Sequence, residues 1–276
     1  MEEIVLDKSY LDGAPAAEVA KMCDGYTALM PQELFFEMMT TCPESQRRCF
    51  AKLPNRDSPV ALIPPVGVLV DFERQNQRPC VPLSRHRVAW GRYAFNRRLR
   101  DGSFVPSVED GRVLAGWQSQ VEADTKTFMT TCLSVADVFP DLSRLHQTEL
   151  AAAVEKVRQR IAVDHDLVRT IYGAGAPPDA PPADQIDTRW AVFRYYQCRL
   201  LAAVRMFGRY RGAIPEVAGS GFWRRAEHSM QDIYYVILGS LAGGLATLDK
   251  EPRDDFLLLC PNSAPRSPGV FARAKG

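Results

Sequence analysis

The stretch EIVLDKSYLDGAPAAEVAKMCDGYTALMPQELFFEMMTT, residues 3–41, decides the fold class. It begins with the apolar run EIVLD, which lacks polar alternation and therefore predicts a central parallel strand covered on both faces. PAAEVAKMCDG (15–25) predicts a helix, because proline lies near its start and glycine at its end. YTALMP (26–31) predicts a second strand and QELFFEMMTT (32–41) a second helix. This order of strands and helices is typical of an α/β fold.

The C-terminal part of the sequence repeats the pattern. FWRRAEHSMQDIYYVILGSLAGG (222–244) predicts a long helix, because its apolar residues recur at spacings of three and four. LATLD (245–249) and FLLLC (256–260) are apolar runs, and each predicts a buried strand. We predict a flexible tail for residues 263–276.

The middle of the sequence, residues 45–221, favours helices. The segment SPVALIPPVGVLVDFE (58–73) is ambiguous, because Pro64 and Pro65 divide it. We therefore predict a small parallel-sheet core made of residues 1–44 and 222–262, with a mostly α-helical insertion between its two parts.

The composition indicates a folded protein with a real core. The chain has 276 residues, of which 46% are hydrophobic, and this excludes disorder as its main state. Seven cysteines without a C-x-x-C pair indicate reduced thiols rather than a disulfide framework. The N-terminus lacks the pattern of a signal peptide, and the longest apolar run, residues 236–248, is too short to cross a bilayer. We expect a cytoplasmic protein without membrane contact.

Charge is segregated along the chain, although the net charge is only +1. Residues 1–44 and 101–190 are acidic overall, whereas 45–100 and 191–276 are basic. A metal-dependent nuclease needs such a division, because basic residues draw phosphate towards carboxylates that would otherwise repel it. Solvated helical surfaces with clustered charge give the same pattern.

Acidic residues follow the predicted strands at the positions where α/β folds form their sites. Asp7 closes the first strand and Asp249 closes LATLD, and carboxyl ends of parallel strands meet at one edge. Glu37 lies on the helix after the second strand, with Glu33 one turn before it, so either glutamate is a candidate ligand. Asp232 lies on the long helix of 222–244. Such a set of oxygen ligands suits Mg²⁺ or Mn²⁺.

Four short motifs, taken in order, resemble those of the PIN-domain nucleases. They are VLDKSYL, LMPQELFFEMM, DIYYVILGSLAGG and TLDK, and together with the residues around them they cover about 85 residues at the two ends of the chain. The resemblance implies a three-layer α/β core with a metal site. It assigns the metal-binding carboxylates to Asp7, Glu37, Asp232 and Asp249, and supporting hydroxyl groups to Ser9 and Thr247.

From these observations we predict a metal-dependent endonuclease. The resemblance favours RNA over single-stranded DNA as its substrate. We expect Arg97, Arg98 and Arg100 to contact the nucleic-acid backbone. His228 precedes Asp232 by one helical turn, and it is either a residue that orients phosphate or water or a simple polar neighbour. A protein partner or inhibitor and an oligomeric state are both compatible with the sequence.

Two other functions remain open at this point. The first is an aspartate-nucleophile phosphohydrolase acting through Asp7, although Ser9 occupies the place where such enzymes usually carry a second aspartate. The second is a non-catalytic interaction protein that keeps the fold while the helical insertion binds a partner.

Overall fold

The strands come from both ends of the chain and from one segment between them. The computed structural model describes residues 2–88, 97–214 and 221–273. In these residues the strands are β1 (Glu3–Leu6), β2 (Thr27–Pro31), β3 (Ala61–Ile63), β4 (Gly244–Ala246), β5 (Ser263–Ser267) and β6 (Val270–Arg273).

Helices make up most of the remaining described chain. The N-terminal half contains α1 (Lys8–Gly13), α2 (Ala16–Gly25), α3 (Gln32–Thr40), α4 (Pro43–Lys52), α5 (Val66–Asn76), α6 (Arg97–Asp101), α7 (Val108–Leu133) and α8 (Val135–Val138). The C-terminal half contains α9 (Gln147–Val163), α10 (His165–Gly175), α11 (Ala191–Tyr210), α12 (Gly221–Ala242) and α13 (Lys250–Leu259). Short 3-10 turns lie at Leu83–His86 and Pro140–Arg144.

The strands form one mixed sheet in the order β3-β2-β1-β4-β6-β5. β1 runs parallel to β2 and β4, and β2 runs parallel to β3. Along the chain, β2 and β3 are thus added on one side of β1, and β4 is added later on the other side of β1. This reversal makes the carboxyl edge between β1 and β4 the topological switch point, which is where open α/β sheets bind ligands.

Gly244 allows β4 to lie against β1. A Cβ atom added at this position would come within 2.7 Å of the Glu3 carbonyl oxygen and 2.8 Å of Ile4 Cγ1. Only glycine permits this close approach. A strand is predicted for 245–249, and β4 lies there, but it begins at Gly244 and already ends at Ala246.

The strand predicted for FLLLC (256–260) is wrong, because these residues lie in α13 and at its end. Pro252, Asp255, Phe256 and Leu259 are buried, and their spacing is that of one helix face. Leu257 and Leu258 are only partly buried. A short apolar run fits a strand and a helix equally well, so its pattern alone could not decide between them.

The flexible tail predicted for residues 263–276 is also wrong for the residues that the structure describes. β5 and β6 form a hairpin, and β6 pairs antiparallel with β4. Gly269 in the turn has a φ of +75°, a left-handed conformation that suits glycine. Residues 274–276 lie outside the described part of the chain.

Residues 45–221, predicted as an insertion, share a core with the sheet. β3 comes from this segment and fills the edge next to β2, so the sheet extends beyond 1–44 and 222–262. Buried side chains of α11, such as Leu201 and Val204, belong to the same hydrophobic cluster as Ile4 and Leu245 of the sheet. α12 packs against β1 and β4, and α11 packs against α12. The segment is thus built into the fold rather than attached to it.

None of the described helices combines the length and the apolar character needed to cross a bilayer.

Candidate functional site

Asp7 lies at the switch point, directly after β1, and caps the N-terminus of α1. Only 3% of the residue is exposed. Its Oδ1 accepts a hydrogen bond from the Ser9 backbone N–H at 3.3 Å, and its Oδ2 accepts from the Ser9 hydroxyl at 2.6 Å. The Thr247 hydroxyl also donates to Oδ2. The carboxylate is therefore fixed in place by its own helix and by the loop after β4.

Ser9 and Thr247 join the two ends of the chain. Their hydroxyl oxygens lie 3.1 Å apart. The Leu248 N–H donates to the Ser9 hydroxyl at 3.0 Å, and the Asp249 N–H donates to the Thr247 hydroxyl at 3.1 Å. Thr247 is buried and donates its own N–H to the Gly269 carbonyl at 2.8 Å. This network holds Asp249 close to Asp7, although Asp249 itself is exposed.

Glu37 reaches the same edge from α3. Its Oε2 accepts a hydrogen bond from the Tyr235 hydroxyl at 2.6 Å, and its Oε1 lies 3.3 Å from Lys8 Nζ. Burial raises the pKa of Tyr235, and the negative charge of Glu37 raises it further, so the phenol stays a donor. Tyr235 and Lys8 were not identified from the sequence. Tyr235 lies on α12 three residues after Asp232, which is the spacing of one helix face.

The four predicted metal ligands influence one another electrostatically. Burial raises the pKa of Asp232 to about 8, and the charges of Asp7, Asp249 and Glu37 add to this effect. Burial also raises the pKa of Asp7 to about 6, against the lowering effect of the hydrogen bonds from Ser9 and Thr247. Carboxylates from β1, α3, α12 and the loop after β4 thus share one region and repel one another.

Arg205 on α11 is the cation that opposes this repulsion at Asp232. Its positive charge lowers the pKa of Asp232, although the raising effects are larger. Arg205 is itself held elsewhere, because Nη1 lies 2.6 Å from Asp255 and Nε lies 3.2 Å from Glu251. No described residue donates a hydrogen bond to the Asp232 carboxylate.

Glu33 and His228 lie apart from this arrangement. Oε1 of Glu33 accepts a hydrogen bond from the Val66 N–H at 3.0 Å, at the start of α5. Burial raises the pKa of Glu33 to about 7, and the charge of Asp124 contributes to the rise. His228 is exposed on α12. In the described part of the chain, no hydrogen bond or ion pair joins it to the acids.

The predicted nucleic-acid contacts belong to a separate basic surface where α6 packs against α4. Arg97 and Arg100 line a cavity of about 300 Å³ together with Arg56. Arg100 also lines a second depression with Arg47 and Arg48 and donates to the Leu53 carbonyl. Arg98 lies on α6 as well. None of the four acids lines either depression, so these arginines form a surface of their own.

The carboxylates fit a divalent metal in donor type and in charge. Hard cations prefer oxygen ligands, and a cation would relieve the mutual repulsion that adds to burial in raising the pKa of Asp7 and Asp232. The described residues do not, however, bring three or more His, Cys, Asp or Glu side chains into a formed metal-binding group. The acids interact through charge without converging on a single point.

The chain was compared with protein-family models, with curated proteins and with solved structures, and none of the three comparisons gave a match.

Proposed function

We propose that the chain is a metal-dependent endonuclease with a PIN-like three-layer core. Its substrate is RNA in preference to single-stranded DNA, a preference that comes only from the motif resemblance. One observation carries the proposal: acids from four elements share the region of the switch point, where burial raises the pKa of Asp7 and Asp232 and the charges of the neighbouring acids raise it further. Strongly perturbed carboxylates at such an edge are typical of functional sites.

Asp7, Glu37, Asp232 and Asp249 are the residues that would hold Mg²⁺ or Mn²⁺. When bound, the ion supplies a hydroxide from water and neutralises the charge that grows on the scissile phosphate. Ser9 and Thr247 fix the orientation of Asp7 through Oδ2, which leaves most of the acceptor capacity of Oδ1 available.

Lys8 and Tyr235 have supporting roles in this proposal. Tyr235 orients Glu37 with a hydrogen bond that does not depend on the metal. Lys8 neutralises Glu37 through the ion pair at 3.3 Å, and as a long flexible cation it is free to turn to a substrate phosphate once a metal replaces it. The arginines of α4 and α6 supply the basic surface that attracts the nucleic-acid backbone.

Cleavage assays test the proposal directly. A labelled RNA and the single-stranded DNA of the same sequence are incubated with Mn²⁺, Mg²⁺ or EDTA. We expect metal-dependent internal cutting, reduced at least about a hundredfold by Asp7→Asn and by Asp249→Asn, because each removes a charged ligand. Asp166→Asn is the matched control, since the Asp166 side chain is 90% exposed on α10. It should cut at the wild-type rate.

The proposal is wrong if cutting is absent with both metals, or if it survives in the Asp7 and Asp249 variants. Turnover of phosphomonoesters alone would instead support a phosphohydrolase with Asp7 as its nucleophile. Thermal unfolding of each variant shows whether a loss of activity comes from misfolding.

A non-catalytic interaction protein is the second candidate, and the ion pair between Lys8 and Glu37 favours it. In that function a lysine of the chain itself partly neutralises the acids, and no metal is needed. Binding of RNA or of a protein partner without any turnover, unaffected by EDTA, would support this candidate over the nuclease.

A further inference from the structure

A second concave site is lined by other residues of α3 and α12, two of the helices that carry the acids. It is a cavity of about 690 Å³, a size that suits a small organic ligand. α3 supplies Glu37 to the acids and Glu33, one turn earlier, to this cavity. α12 likewise directs Tyr235 to Glu37 and Tyr234 into the cavity. The two sites are therefore neighbours with separate linings.

Aromatic side chains form much of the cavity wall. Trp117 meets Phe36 edge to face, with ring centroids 5.9 Å apart, and Tyr172 meets Tyr196 in the same way at 5.4 Å. Tyr195 and Tyr234 complete the aromatic part of the wall. Rings in these arrangements present flat apolar surface and the negative faces of their π-systems.

The charged groups of the cavity are mainly acidic. Glu33, Asp71 and Asp124 line it, and Arg74 is the one cation among the described lining residues. Arg74 is already engaged, because its guanidinium lies 3.0 Å from Asp71 and 3.3 Å from Asp179. Asp124 accepts a hydrogen bond from the Tyr234 hydroxyl. The cavity thus carries an excess of negative charge.

Glu33 supplies the acceptor that lacks a partner. The Val66 N–H fixes Oε1 at 3.0 Å, whereas Oε2 is buried without a hydrogen-bond partner. A buried carboxylate oxygen that is not hydrogen-bonded costs free energy, and a donor placed in the cavity would remove that cost. The cavity therefore offers an unused acceptor held in a fixed position beside aromatic rings.

We propose that this cavity binds a small organic cation, namely an amine or amidine attached to a flat apolar body. The cationic N–H groups donate to Glu33 Oε2 in a charge-assisted hydrogen bond, and the apolar body lies against the aromatic wall. Anionic ligands are disfavoured, because three carboxylates line the site. This assignment does not depend on nuclease activity.

Calorimetric titration of the full chain at pH 8, where Glu33 with its pKa of about 7 is mostly ionised, tests the charge requirement with three probes of similar shape. Benzamidine is cationic, benzamide is its neutral counterpart and benzoate is anionic. We expect benzamidine to bind at least about tenfold more tightly than benzamide, and benzoate not to bind. Glu33→Gln keeps the size of the side chain and removes its charge. In this variant benzamidine and benzamide should bind alike.

Variants at Val68 test the location without disturbing the core. Val68 lines the cavity and is 51% exposed, so either charge is tolerated there. Val68→Arg should weaken benzamidine binding about tenfold by repulsion, whereas Val68→Glu should preserve or improve it. Val113→Arg is the matched control, because Val113 is 42% exposed on α7 and does not line the cavity.

Several outcomes would overturn the proposal. They are failure of benzamidine to bind, equal binding of benzamidine and benzamide to the unmodified chain, preference for benzoate, and equal effects of the Val68→Arg and Val113→Arg substitutions. If Glu33→Gln does not fold, the Val68 pair and its control still decide the question.

Discussion

Glu73 and Asp232 are both carboxylates largely removed from water, but their surroundings differ. Glu73 on α5 is fully buried, and its oxygens accept backbone N–H groups of Cys80 at 3.1 Å, Ala191 at 2.7 Å and Val192 at 3.0 Å. Asp232 on α12 receives no hydrogen bond from a described residue, and burial together with three neighbouring carboxylates raises its pKa. The Glu73 carboxylate is therefore fully hydrogen-bonded, whereas the Asp232 carboxylate accepts no hydrogen bond from the described residues.

The difference separates a carboxylate that holds the fold from one suited to a ligand. Glu73 caps the N-terminus of α11, where unpaired N–H groups and the helix dipole favour a negative charge. It thereby ties α5 to α11. The acids near Asp232 repel one another at the switch point, and such a cost is usually retained where a function requires it.

Asp255 shows the satisfied arrangement again, this time with charged partners. Its side chain is only 5% exposed, and its two oxygens lie 2.7 Å from Arg158 and 2.6 Å from Arg205. These contacts join α13 to α9 and α11. The satisfied acids thus connect the helices to one another, whereas Asp232 on α12 lies near the acids that follow β1 and β4.

The largest effect on stability is expected at Glu73. Glu73→Gln keeps the shape but replaces one accepting oxygen with an NH₂ group, which cannot accept the backbone N–H groups. We expect a loss of about 3 kcal/mol in the free energy of unfolding, because buried donors are left unpaired. Urea unfolding followed by circular dichroism measures it. Glu155→Gln, at a side chain that is 48% exposed, should change stability by less than about 0.5 kcal/mol. Equal losses in the two variants would show that Glu73 has no special role.

A smaller loss is expected at Asp255. Asp255→Asn weakens both ion pairs, but Arg158 keeps Glu155 and Arg205 keeps Glu251 as partners. We expect a loss of about 2 kcal/mol, below the value for a fully orphaned buried charge. Asp254→Asn is the neighbouring control, because that side chain is 41% exposed. Unfolding midpoints of the two variants that coincide would contradict the structural role of Asp255.

Much of the sheet could be predicted from local pattern. β1 and β2 are apolar runs next to helices with clear ends, and α12 has a regular apolar face, so the sequence specifies each without help from distant residues. β3 could not be identified in this way, because it has three residues and is followed by Pro64 and Pro65. Its position depends on pairing with β2, which no local pattern records.

The candidate site was predictable to a similar degree. Asp7 and Thr247 belong to motifs at the ends of strands, and the structure joins them through a direct hydrogen bond. The partners of the acids were not predictable, because Tyr235, Lys8 and Arg205 reach them only through the packing of α12, α1 and α11. The environment of Glu33 could not be predicted either, because the Val66 N–H that fixes its carboxylate belongs to another helix, α5.

The smallest change in the free energy of unfolding is expected at Asp232, and it should depend on pH. An aspartate of pKa 3.8 in the unfolded chain reaches about 8 in the folded protein, so the folded state binds more protons between these pH values. The stability that this proton provides is present at low pH and is lost as the pH rises towards 8. Asp7, with a pKa of about 6, adds to the same slope at lower pH.

Asp232→Asn removes the titrating group and should therefore flatten the dependence. At pH 8 we expect the variant to be about 1 kcal/mol more stable than the unmodified chain, a value reduced for solvent screening of a partly exposed site. At pH 5 the advantage should disappear, because Asp232 is then protonated. Glu73→Gln should lower stability at both pH values, so the two variants should change stability in opposite directions at pH 8. An Asp232→Asn variant that is less stable at pH 8 than the unmodified chain would place Asp232 with Glu73 and Asp255, among the acids that hold the fold.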